Sequence, residues 1–308
     1  MTAVVTGASG GLGLECVRAL LEQNPAWHVV LAVRDPRRGE AAVSHLGEPG
    51  RCTVMAVDLA SLVSVYDFAG RLANSGLPPT RALICNAGIQ VTSGTRLTED
   101  GIELTFGVNH LGHFALVSAL LDRLSAPARI VIVSSDTHDP SKRTGMPAPR
   151  YASAAELAHP QMEPAISAAR LGQRRYATSK LCNILFAYEL DRRLGGGAKG
   201  VTVNAFNPGL MPGSGLARDY GTPQRLVWRF LMPALRVLPQ VRGTRQSGRD
   251  LAALAGDRSY EHVSGRYFDG RKVIESSRDS HDLEKARDLW ETSERLSRRE
   301  DQRAAPRG

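Results

Sequence analysis

The sequence predicts an α/β fold: a doubly wound, mainly parallel, Rossmann-type sheet of about seven strands with helices on both faces. Two observations carry this. Short β-rich runs alternate with stretches whose apolar residues recur at helical spacing through the first two thirds of the chain. Within those runs, as in AVVTG and HVVLAV, the apolar residues are continuous rather than alternating, as in parallel sheets covered on both faces.

The first strand is placed at 3–7 (AVVTG) and is followed by the helical pattern LGLECVRALLEQ. HVVLAV (28–33) is the second strand and CTVMAV (52–57) the third, with GEAAVSHL between them and SLVSVYDFAGRLA after. ALICN (82–86) is the fourth, followed by a long apolar helical pattern over 101–124. RIVIVSS (129–135), the helix YATSKLCNILFAYELDRRL and VTVNAF (201–206) complete the alternation. Two stretches interrupt it. Residues 136–172 carry five prolines where a short connection would suffice, and 208–240 are rich in Pro and Gly. Both follow strands, at the carboxyl edge where this architecture binds ligands. With neither an internal repeat nor a linker, 1–294 reads as one domain, with 136–172 and 208–240 on the substrate side and 295–308 as a basic, disordered tail.

The 308 residues are 42% hydrophobic and 23% charged, an ordinary globular composition. No basic, apolar leader opens the chain, so neither a signal peptide nor a membrane anchor is expected and the location reads as cytoplasmic. Four scattered cysteines suggest reduced core thiols. The net charge of +8 comes without aromatic-basic interleaving, so no nucleic-acid partner is expected.

TGASGGLG (6–13) follows the first strand and opens the first helix. Gly7, Gly11 and Gly13 let the chain turn tightly and let a pyrophosphate approach the helix N-terminus, with Ser9, Gly10 and Leu12 completing the cradle. At the end of the second strand, where an acidic residue would hold the ribose hydroxyls of NAD, the chain reads AVRDPRRGE. Arg34, Arg37 and Arg38 suit a 2′-phosphate, which favours NADP(H); Asp35 is the acid that could serve NAD instead.

TGASGGLG, VDLAS (57–61), CNAG (85–88), VNHLGHF (108–114), VSS (133–135), YATSK (176–180) and NPG (207–209), in this order, resemble the short-chain dehydrogenase/reductase family over nearly the whole chain. The resemblance implies that Asp58, with Leu59, meets the adenine. It implies that Asn86, Ala87 and Gly88 line the cofactor channel, and that Pro208 and Gly209 also contact the cofactor. Asn109, Ser135, Tyr176 and Lys180 would be the catalytic tetrad, with Tyr176 and Lys180 also touching the cofactor. Ser135 is chosen over Ser134 as the last residue of its motif. A free tyrosine, with a pKa of about 10, is a poor acid or base near neutrality. Lys180, one turn along the helix, would favour the phenolate, and Ser135 would hydrogen-bond the substrate oxygen.

Within the family, DLASLVSVYDF, NHLGHF and SHDLEKARDLWETSERL resemble the branch of light-dependent protochlorophyllide oxidoreductases and retinol-dehydrogenase-like carbonyl reductases. The long insertion before Tyr176 is a protochlorophyllide-enzyme feature, but Leu210 stands where those enzymes carry cysteine. The threonine that often follows PG to hold the nicotinamide amide is also missing, with Ser214 the available substitute. The expected function is an NADP(H)-dependent oxidoreductase acting on a bulky or hydrophobic carbonyl or alcohol. The alternatives are light-dependent reduction of a ring C=C bond and a non-catalytic NADP-binding module. LVWRFLMPAL (226–235) reads equally as a lid or a packed helix, and VSALLDRL (117–124) as part of a surface forming a homodimer or homotetramer.

Overall fold

In the computed structural model, residues 1–161, 166–209 and 243–298 are described. The chain builds β1 (Thr2–Thr6), α1 (Gly11–Gln23), β2 (His28–Val33), α2 (Pro36–Leu46), β3 (Cys52–Ala56), α3 (Leu62–Ala73) and β4 (Thr80–Cys85). It continues through α4 (Leu104–Phe106), a π-helical turn (Gly107–Leu111), α5 (Gly112–Leu120), β5 (Leu124–Val133), α6 (Ala154–Ala158), α7 (Ala168–Arg193) and β6 (Val201–Asn207). α8 (Thr244–Gly256), β7 (Arg266–Asp269), β8 (Lys272–Ile274) and α9 (Leu283–Ser297) follow.

The strands form one sheet in the order β3-β2-β1-β4-β5-β6-β7-β8, parallel except for the β7–β8 hairpin. The order reverses direction between β1 and β4, so their carboxyl ends border the crevice where such sheets receive a ligand. Adjacent residues in each strand serve opposite cores. Val4, Val30 and Leu83 face α3, α5 and α7 through Phe68, Phe114 and Leu185. Ala3, Val5, Leu31 and Ile84 face α1 and α8 through Val17, Leu20, Leu251 and Leu254. This two-sided burial explains why the strand sequences are apolar without alternation. All four cysteines are buried and free.

The sheet has eight strands rather than about seven. The unread pair is a hairpin turning at Gly270–Arg271, with Gly270 at φ +62°. β8 is only three residues long and mostly exposed, so it carries no apolar run to announce it. α7 begins at Ala168, capped by Ser167, whose side chain accepts the Arg170 N–H, so the 136–172 insertion ends sooner than expected. α9 runs through Ser297, into the stretch read as tail, and the Ser297 carbonyl accepts the Tyr66 hydroxyl. The run Leu104–Arg123 is long and apolar enough to cross a membrane, but here most of it is buried as the central core helix. LVWRFLMPAL, Leu210 and Ser214, most of 208–240, and the tail beyond 298 lie outside the described residues.

Candidate active site

β1 ends at Thr6, and the chain reverses through Gly7 (φ +67°) and Gly11 (φ +57°) into α1. The helix has no side-chain cap and no acidic residue in its first turn, which leaves N–H donors and the positive end of the dipole for a ligand. A Cβ on Gly13 would lie 2.6 Å from the Gly7 oxygen and 2.7 Å from Asn86 Nδ2. Only glycine lets the helix start approach the fourth strand this closely. The turn is fastened by Thr6, whose Oγ1 accepts the Asn86 and Ala87 N–H groups at 2.9 Å each, while Asn86 Nδ2 donates to the Thr6 oxygen at 2.7 Å. An uncapped helix start and a cradle that a Cβ would fill fit a pyrophosphate. Ser9 and Gly10 are part-exposed on this turn, and Leu12 is buried beneath it.

At the far end of the crevice, Arg34 follows β2, and Arg37 and Arg38 sit in the first turn of α2; all three are exposed. Asp35 is the N-cap of α2 and accepts the Arg37 N–H at 3.1 Å. Asp58 lies just past β3, its Oδ1 accepting the Ala60 N–H at 2.9 Å and its own N–H donating to Ser64 Oγ at 2.9 Å. Leu59 is buried against Gly112, where a Cβ would come within 2.5 Å of the Leu59 oxygen.

The π turn presents Asn109, which is fully buried. Its Oδ1 accepts the Ile89 N–H at 2.8 Å, and its Nδ2 donates to the Ile89 oxygen and to Ser179 Oγ, both at 2.9 Å. Ser179 Oγ in turn donates to the Tyr176 main-chain carbonyl at 2.7 Å, which ties the turn to α7. On α7, Lys180 Nζ lies 5.5 Å from the Tyr176 ring centroid and donates to the Val133 oxygen at 3.2 Å. Burial lowers the Lys180 pKa to about 8. Gly88 stands against this pair: a Cβ there would be 3.4 Å from Asn109 Oδ1 and 3.5 Å from Lys180 Nζ.

The two serines after β5 differ sharply. Ser134 is buried and donates to the Lys180 main-chain oxygen at 2.8 Å. Ser135 is half-buried, its Oγ accepting the Thr137 N–H at 3.3 Å, two residues beyond the carbonyl that Lys180 holds. At the end of β6, the Pro208 oxygen accepts from Ser247 Oγ at 2.7 Å. Gly209 turns at φ +77°, and its N–H donates to Asn207 Oδ1. The structure thus gathers Asn109, Tyr176, Lys180 and Gly88 at one place beside the end of β5. Arg34, Arg38 and Asp58 follow the ends of β2 and β3, on the other side of the glycine turn.

The family model for short chain dehydrogenases matches residues 1–154. The chain is 35% identical to the WW domain-containing oxidoreductase of Gallus gallus over 98% of its length and 69% of that protein's. It is 36% identical to the chloroplastic protochlorophyllide reductase A of Oryza sativa subsp. japonica, over 95% of this chain and 79% of that one. The chain belongs to the short-chain dehydrogenase/reductase family. A crystal structure of an uncharacterised protein from Mycobacterium paratuberculosis superposes with a TM-score of 0.69 at 31% identity, covering 96% of this chain and 92% of that one. A blue fluorescent protein from a metagenomic library, solved with NADPH, shares the fold at 23% identity and a TM-score of 0.64, covering 87% and 96% of the two chains.

As a short-chain dehydrogenase/reductase, the protein is an oxidoreductase of a family that binds a nicotinamide cofactor. Three side chains had no role assigned from the sequence, although Thr6 and His113 lie inside the quoted strings TGASGGLG and VNHLGHF. Thr6, at the end of β1, laces the glycine turn to Asn86 and Ala87. His138 is buried, and its Nε2 accepts the Ser277 N–H at 3.0 Å. Its Nδ1 therefore carries the proton and donates to the Ser135 oxygen at 2.7 Å. His113 bonds both Thr6 and the Asn109 carbonyl. Each has at least one partner about 80 residues or more away in sequence, which no local spacing marks.

Proposed function

We propose that the protein is an NADP(H)-dependent oxidoreductase that interconverts a carbonyl and an alcohol on a bulky or hydrophobic small molecule. The observation that carries this is the buried Lys180 ammonium beside the Tyr176 ring, on a helix tied through Ser179 to Asn109. The nicotinamide supplies or accepts the hydride. Tyr176 gives a proton to the carbonyl oxygen during reduction and takes it back during oxidation. The Lys180 charge favours the phenolate, and Ser135 donates a hydrogen bond to the same oxygen as charge develops there. Asn109 holds the π turn in place through its three side-chain bonds.

The preference for NADP(H) rests on the exposed Arg34 and Arg38 and on the engagement of Asp35 as a helix cap. A solved protein of the same fold holds NADPH, which is consistent with it. Fluorescence titration should give tighter binding of NADPH than of NADH, with Arg34→Ala and Arg38→Ala each weakening NADPH by about tenfold or more, the scale of a hydrogen bond to a charged group. Equal affinity for the two nucleotides, unchanged in the variants, would reject the assignment.

A second reading is favoured by the identity to protochlorophyllide reductase A: light-dependent reduction of a ring C=C bond. Leu210 in place of the cysteine that the resemblance calls for weighs against it. Illuminating protein, NADPH and pigment decides between them, since a red-shifted product band would replace the carbonyl reading with this one. NADPH binding without turnover of any substrate would leave a non-catalytic binding module.

A further inference from the structure

We propose that His113 is a positioning residue that ties the cofactor turn to the Asn109 carbonyl, so that one imidazole sets the geometry on both sides of the crevice. The proposal rests on the hydride-transfer reading above. His113 is 1% exposed, its Nδ1 lies 3.1 Å from the Asn109 oxygen, and its Nε2 lies 2.9 Å from Thr6 Oγ1. A carbonyl only accepts, so Nδ1 carries the proton and Nε2 presents its lone pair to the Thr6 hydroxyl. That hydroxyl has a single proton and two lone pairs. With the proton on His113, the lone pairs serve the Asn86 and Ala87 N–H groups. The competing acceptor for the same proton, the Ile84 oxygen, is farther away at 3.3 Å. His113 thus decides which way the Thr6 hydroxyl points.

On the catalytic side, the Asn109 side chain is already committed to Ile89 and Ser179. Its carbonyl remains, and His113 takes one of that oxygen's two acceptor positions, which fixes the direction of the other. His110, one turn earlier, shows what a purely packed histidine looks like in the same segment. It sits among Phe106, Phe114 and Phe186 and bonds only Ser293 through Nε2, with Nδ1 unpartnered among the described residues. His113 differs in that both nitrogens act on motif residues. Burial, with the Lys180 charge adding to it, opposes a second proton and keeps the ring in the neutral form this arrangement needs.

The two halves of the proposal separate by substitution. His113→Asn places an amide nitrogen near the Nδ1 position and has nothing to offer Thr6. The expected result is an NADPH Kd raised by about fivefold to tenfold, the cost of one hydrogen bond, with kcat close to wild type. His113→Gln reaches Thr6 and releases Asn109, so kcat should fall by about the same factor while the NADPH Kd stays close to wild type. Variants that lower Tm but leave Kd and kcat unchanged, or that move both constants together, would overturn the proposal. Should either variant fail to fold, 15N NMR of the wild-type imidazole decides: a neutral Nδ1–H tautomer supports the bridge and an Nε2–H tautomer overturns it. A wild type that binds no nicotinamide cofactor sinks the functional reading by itself, and the tautomer still decides the fate of the His113 bridge.

Discussion

Lys180 carries a positive charge into a site where burial lowers its pKa from 10.5 to about 8. Below pH 8 the folded protein therefore holds a charge at a cost that the unfolded chain does not bear. Lys180→Met removes it, while the Val133 oxygen keeps the Asn183 amide at 2.9 Å as a partner. Thermal unfolding at neutral pH should show this variant more stable than wild type by on the order of 2 kcal/mol, after allowing for one lost hydrogen bond, and turnover should be abolished. A destabilised Lys180→Met would mean that the ammonium holds the site together rather than straining it. The buried histidines have the sign of an acid-sensitive fold. Burial depresses His110 to about 3 and His113 to about 4, from an ordinary 6.5. The unfolded chain takes up protons near 6.5 that the folded chain refuses, so their stability is complete above that pH and is lost as pH falls toward 4. Each histidine contributes a slope of about 1.4 kcal/mol per pH unit, and His113→Asn should lose its one-proton share in denaturation curves taken across this window. At this scale the sequence disclosed motifs but not their supports. Asn109 and His113 share one recognisable string and Thr6 opens another, but the bond between Thr6 and His113 spans 107 residues, and that between Ser277 and His138 spans 139.

At the scale of elements, α7 sets where Tyr176 stands, and its entry is fixed by Gly172. A Cβ there would fall 1.8 Å from the Val91 oxygen. Alanine favours a helix over glycine by about 1 kcal/mol, but that gain is outweighed by an overlap with backbone that side-chain rotation cannot relieve. Gly172→Ala should cost about 2 kcal/mol or more in denaturant unfolding and lower turnover, because Tyr176 lies one turn further along; a variant as stable and active as wild type would show that the 89–92 segment yields freely. The central strands were legible because their two-sided burial writes itself as unbroken apolar sequence, and HVVLAV coincides with β2. The first two turns of α7 were not, since AARLGQRR reads as polar and its start depends on the Ser167 cap. The β7–β8 hairpin was missed for a related reason: an edge strand with mostly exposed residues has no core pattern, and Gly270 at the turn was its one local sign.

Across the whole molecule, the sheet, the glycine turn and α7 converge on one crevice, while α9 closes the opposite flank. Trp290 packs edge-on to Phe114 of α5 at 5.1 Å, lies 6.0 Å from Phe186 of α7, and carries the Arg193 guanidinium 4.2 Å above its ring. Asp288 accepts from the Tyr151 hydroxyl and the Ala154 N–H, which ties the insertion before α7 to the same helix. α9 thus packs on α5 at Phe114 and on α7 at Phe186, while VSALLDRL (117–124), read as part of an association surface, keeps Ser118, Asp122 and Arg123 exposed. Light scattering tests the association proposed for that surface: a multiple of the single-chain mass of 33.3 kDa supports it, and the single-chain mass itself contradicts it. The measurement that bears most directly on the central claim is the loss of reduced-nicotinamide absorbance when NADPH, the protein and a panel of bulky carbonyl compounds are combined, run beside Tyr176→Phe. The account predicts oxidation of NADPH by at least one compound, and a Tyr176→Phe variant that binds NADPH as tightly but turns over about 10²- to 10⁴-fold more slowly. Equal rates in the two proteins, or no turnover from a protein that binds NADPH, would contradict it.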